Sequence, residues 1–192
     1  MDSILFAIKI QHDENTLIAL SHMRYDLFCT GNRVARDLLA ALLVAVAVLY
    51  GNTGLWGGLL IIFACFLFTG SYASSNRTAR RISDQIRSSG LPFPCSEYRF
   101  GKTGMRVISM PEQEETDFLP YKGVLRLGED PRAYYLFFNP YGGYMIPKKE
   151  LGSRADEFRC YIEMKTGKAF VRRQTPALLL REWLASRRII LP

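Results

Sequence analysis

No charged side chain stands anywhere between Leu38 and Asn76 of this 192-residue chain. A surface helix needs a polar face, so that stretch excludes an ordinary amphipathic helix. Cysteine shows no pairing pattern: Cys29, Cys65, Cys95 and Cys160 form no CxxC motif. The two histidines, His12 and His22, do not share metal-ligand spacing with them, so neither a zinc site nor a disulfide framework is expected. The thiols read as reduced and structural, and no cofactor is implied. The opening "MDSILFAIKIQHDEN" lacks the basic start and small-residue cleavage site of a signal peptide.

Catalytic signatures are missing as well. "GKTG", Gly101–Gly104, has Ser96 where a phosphate loop needs a glycine five residues before its Gly-Lys pair, so a hairpin turn is expected. No GxSxG elbow occurs. Glu129, Asp130 and the Glu112–Glu115 run read as solvated acidic loops, since no histidine or apolar cleft accompanies them. An enzyme is not expected.

What the chain does have is two apolar runs. Leu38–Gly51 reaches the ~20 residues that cross a bilayer only if its helix begins near Val34, with Arg33 and Arg36 snorkelling. Leu55–Tyr72 is nearly long enough unaided. "GNTG", Gly51–Gly54, supplies an uncharged turn between them. Arg33 and Arg36 lie before the first run, and Arg77, Arg80, Arg81 and Arg87 follow the second. On the positive-inside rule both termini are expected in the cytoplasm and the Asn52-Thr53 tip outside. Tyr50, Trp56 and Tyr72 fit interfacial aromatics. A soluble core hairpin would need a larger protein around it, so two membrane spans are expected. Ala41 and Ala45, like Gly54 and Gly58, are four apart and would let the two helices pack closely.

Around the runs, "ILFAIKI", Ile4–Ile10, reads as a strand and Glu14–Phe28 as a helix capped by Asp13. Helix should continue after the second run to Gly90, with Pro92 and Pro94 beyond. From Cys95 six short strands alternate with turns, followed by a helix over 153–167 with Ser153 as cap and Phe158, Tyr161, Ile162 and Met164 as its apolar stripe. Six strands and a helix suggest a strongly bent antiparallel sheet, or barrel, closed at one end by that helix.

The order strand, helix, two runs, then "YRFGKTGM", "LPYKGVLRL" and "YYLFF…GYMIPKKEL", resembles the YcxB-like proteins of bacteria. Tyr121 stands where many members carry Trp. The resemblance covers about residues 4–166. It implies a multi-pass protein of the bacterial inner membrane with a C-terminal pleckstrin-homology-like domain, and brings no biochemical activity with it. The expected architecture is therefore a membrane α-helical hairpin plus an α+β domain. Its expected divisions are 1–90 with spans at about 34–53 and 54–73, the pleckstrin-homology-like domain at 91–168, and a tail at 169–192. In that tail Leu179, Leu180, Trp183 and Leu184 share one side of a helix opened by Pro176, with Arg181, Arg187 and Arg188 elsewhere. An interfacial helix, packing on the domain or a partner subunit, and a disordered tail all fit it.

The net charge of +7 suits an anionic surface or an acidic partner. Arg33, Arg36, Arg77, Arg80, Arg81, Arg181, Trp183, Arg187 and Arg188 are the expected membrane-surface residues. Lys148 and Lys149 read as an exposed basic turn. Basic residues do not interleave with aromatics along a sheet, so nucleic acid is not expected. The leading reading is a non-enzymatic, membrane-anchored binding or scaffolding protein, with membrane lipids, an unknown protein partner and possible homo-oligomers as contacts. An accessory or protective subunit of a transporter or antimicrobial-peptide system is second, and a lipid-acting enzyme third.

Overall fold

A computed structural model describes residues 4–49, 54–90, 92–110 and 112–172, without the side chains of Ser71, Tyr72, Ser74 and Ser75. The chain runs β1 (Phe6–Gln11), α1 (Glu14–Phe28), α2 (Thr30–Leu49) and α3 (Leu55–Ser88). It continues with β2 (Cys95–Phe100), β3 (Gly104–Met110), β4 (Glu114–Pro120), β5 (Arg126–Glu129), β6 (Ala133–Phe137) and β7 (Gly143–Pro147). A short α4 (Lys148–Leu151), α5 (Ala155–Thr166) and a two-residue β8 (Val171–Arg172) close it.

Two four-stranded sheets form, ordered β1-β2-β3-β4 and β7-β6-β5-β8. All pairings are antiparallel except β5 with β8. The expectation of a single bent sheet or pleckstrin-homology-like barrel is therefore corrected: among the described residues the fold is α+β with two sheets and no closed barrel. Pro120 ends β4 without a further N–H for the ladder, and a 3-10 turn at Tyr121–Gly123 leads into the second sheet. All of β4 but Leu119 is exposed, and its acidic outer edge pairs with no strand among the described residues.

β1 alternates buried Phe6, Ile8 and Ile10 with exposed residues and pairs with β2 from Phe6↔Phe100 to Gln11↔Cys95. Between the sheets Phe158 of α5 makes edge contacts with Phe6 and Phe100, at 5.3 and 4.9 Å, and Ile162 is fully buried one turn on. Ser153 lies in a 3-10 turn rather than capping α5, and Met164 faces solvent. A second core forms where Met23 and Leu27 of α1 meet Ala133, Tyr135 and Phe137 of β6. Gly128 makes that approach possible, because a Cβ there would come within 2.6 Å of the Met23 sulfur.

The two-span expectation, and with it placement as a multi-pass inner-membrane protein with cytoplasmic termini, is also corrected. Among the described residues no helix is long and apolar enough to cross a membrane. The uncharged part of α2, Leu38–Leu49, rises only about 18 Å, against about 30 Å of hydrocarbon. Starting the span at Val34 brings Arg36 and Asp37 into it. The apolar run of α3, Leu55–Phe68, rises about 21 Å before Thr69 and Gly70. Arg36 does not snorkel; it turns inward, donating to the Leu67 carbonyl of α3 at 3.1 Å over Gly70. The Asn52-Thr53 tip and Tyr50 lie outside the described residues.

Candidate functional site

The arginines expected at a membrane surface divide into three groups. Arg33 pairs with Asp26 at 2.6 Å and Arg36 is committed to α3, so both belong to the packing of the helices. Arg77, Arg80 and Arg81 are exposed on α3, with Arg80 4.0 Å from Glu14. Arg181, Trp183, Arg187 and Arg188 fall outside the described residues. Among the described residues these arginines are therefore split between helix packing and the exposed side of α3.

The largest departure from an ordinary surface is the α2–α3 pair itself. Ala40, Ala47 and Ala64 are the buried alanines of its apolar stretch, while fifteen large apolar side chains from Val34 to Phe68 are exposed. Leu49 is 82% and Trp56 71% exposed, which no isolated hairpin in water sustains cheaply. Along one flank the two helices leave a groove of about 730 Å³. Its walls include Ala41, Ala45 and Val48 from α2 and Cys65 and Phe68 from α3, with Asp37 as the one charged lining residue. Ala41 and Ala45 were expected to bring the two helices together; instead they are exposed on the groove wall.

α1 couples this pair to the sheets. Its inner face buries Met23 and Leu27 on β6, and Arg126 of β5 donates to the Leu27 carbonyl. Its other side holds α3 through His22 to Asn76 at 2.7 Å and Glu14 to Arg87 at 3.0 Å. A load on the hairpin is thus passed to the sheets by one packed helix.

A charged cluster is the other polar feature, and sequence reasoning missed it. Glu129 is 7% exposed rather than solvated, and its Oε1 accepts from Lys148 Nζ at 2.6 Å. Arg159 of α5 and Arg172 of β8 approach its Oε2 at 3.6 and 3.7 Å, and Oε2 has no hydrogen-bond donor among the described atoms. Lys148 also lies 4.6 Å from the centre of the Tyr134 ring, so it is a structural cation rather than a free basic turn. Asp130 accepts from the backbone of Arg132 and Ala133 and from the Tyr135 hydroxyl. No local signal shows such a cluster, because its cations come from α4, α5 and β8.

The remaining candidates resolve simply. Gly101–Gly104 is the β2–β3 turn, and its Gly101 carbonyl accepts from the Tyr121 and Tyr161 hydroxyls. Burial pushes the Tyr121 phenol far above its ordinary value, so it is a fixed donor. Glu112, Glu114 and Glu115 are exposed, with Arg106 3.2 Å from Glu115. No metal-holding group of histidine, cysteine and carboxylates forms among the described residues.

Among known proteins, the family model described as YcxB-like protein matches residues 100–159, from the last residue of β2 into α5. The segment includes Lys148, Glu129 and Arg159 of the charged cluster and begins after the helical pair has ended. No curated protein matches the chain.

Proposed function

We propose that this chain, YcxB-like over residues 100–159, is a non-enzymatic binding or scaffolding protein. The α2–α3 hairpin is its contact element, and the two-sheet body is what the contact holds in place. The observation carrying this reading is the apolar surface from Val34 to Phe68. At roughly 70–100 Å² for each half-exposed large side chain, it presents on the order of 1,000 Å². The largest apolar patch on a typical monomer is about 300–600 Å². Burying the excess against a partner is favourable by roughly 25 cal/mol per Å², before the cost of association. The charged cluster at Glu129 fits this division of labour, because its ion pairs tie elements of the body together rather than point to a ligand.

A photo-reactive residue in place of Leu42 on α2, compared with one in place of Phe118 on β4, tests the reading in living cells. Protein adducts from position 42 that are absent from position 118 support it. No protein adduct from the hairpin, or label found on lipid alone, overturns it, the latter in favour of a lipid contact.

A further inference from the structure

We infer that the grooved flank of the α2–α3 hairpin is covered by the same flank of a second copy, giving a four-helix bundle. This rests on the hairpin being the docking element and names its occupant. The groove runs along the flank between two neighbouring helices, which is the face that two hairpins share when they stack into a bundle. Ala41 and Ala45, one turn apart on its wall, take no part in the intrachain burial made by Ala40, Ala47 and Ala64. They leave room for another helix to approach closely.

Charge narrows the choice further. Each chain carries a net +7, so two bodies repel when they face one another. The stretch Leu38–Gly70 adds no charge and is where two copies can meet without that penalty. Asp37 sits at one end of the groove, within 4.0 Å of Arg33. In an antiparallel twofold pair the two Asp37 residues stand at opposite ends of the bundle; a parallel pair would bring them together. The contact is therefore antiparallel and isologous. Four of the fifteen exposed large apolar side chains, Val44, Val48, Leu49 and Phe68, line this groove, so a second copy's flank meets an apolar wall along it. A twofold contact also covers both copies' flanks at once.

The test compares the full chain with two variants, by sedimentation equilibrium at micromolar concentration in 0.15 M salt and a mild nonionic detergent. Ala45→Glu places a charge on the groove wall, and Ile62→Glu places one on an exposed position of α3 that does not line the groove. Both sites are exposed, and far-ultraviolet circular dichroism checks that each variant keeps its helices. The expected result is a dimer for the parent chain and Ile62→Glu, with association weakened about 100-fold or more in Ala45→Glu. A monomeric parent chain, or equal behaviour of the two variants, overturns the second copy as occupant. If the parent is monomeric while position 42 still labels another protein in cells, the docking reading stands and only the occupant is wrong. If neither occurs, both fall.

Discussion

Replacing Glu129 with glutamine removes one negative charge from beneath three cations and leaves the side-chain shape almost unchanged. The carboxylate is 7% exposed, and Lys148, 2.6 Å away, is 24% exposed. A charge-assisted hydrogen bond of this kind contributes about 1.5–3 kcal/mol. Arg159 and Arg172 stand beyond hydrogen-bond distance and are 29% and 71% exposed, so together they add about 1 kcal/mol at most. Glutamine can still accept from Lys148, which returns part of the first contribution. The expected loss is about 2–3 kcal/mol, or roughly 4–12 °C in melting temperature for a chain of this size. Thermal unfolding of the full chain followed by circular dichroism at pH 7 measures it. Lys148→Met alone, and the double variant, complete a cycle in which the pair should show a coupling of at least about 1 kcal/mol. A shift below 2 °C for Glu129→Gln, with no coupling to Lys148, would refute the argument that this carboxylate holds the body together.

Phe158 is fully buried against Phe6, Phe100 and Tyr134, so Phe158→Ala should cost about 3–5 kcal/mol in chemical denaturation; an unchanged midpoint would contradict the packing of α5 between the sheets. Burial holds the His12 imidazole below its ordinary 6.5, with Asp13 opposing, beside the Tyr98 hydroxyl at 3.2 Å. Between that lowered value and 6.5 the unfolded chain binds more protons, so stability should fall as pH drops from about 6.5, and His12→Gln should flatten that part of the curve. Asp13, whose carboxyl is held low chiefly by the Thr16 hydroxyl, titrates below this window and leaves the comparison clean. A melting temperature that is flat between pH 7 and pH 5 in the parent chain would count against the burial argument.

Local chemistry was legible in the sequence. Asp13 caps α1 through the Thr16 N–H at 2.7 Å, as its position before a periodic segment implies. Phe158 and Ile162, four apart, read directly as the inner face of α5. Long-range geometry was not legible. Nothing near Glu129 announces that α4, α5 and β8 will each bring a cation to it. The break between the sheets depends on how β4 leaves its ladder at Pro120, which strand count alone does not reveal. The apolar hairpin stood out, but counting back to Val34 to complete a span took Arg36 for a headgroup anchor. Its inward bond to Leu67 shows why that count misleads.

The pairing of Gln11 with Cys95 carries a consequence for how this protein is made. The partner strand begins 95 − 11 = 84 residues after β1 ends. At about 5–20 residues per second, a ribosome takes roughly 4–17 s to deliver it. Throughout that interval Phe6, Ile8 and Ile10 lack the strand they pair with, while the residues of α1, α2 and α3 are being made. An alternating apolar strand left open for seconds invites pairing with a neighbouring nascent chain. Slowing translation between codons 12 and 94 should therefore lower the yield of folded protein, whereas slowing it after codon 110, once β2 and β3 are complete, should not.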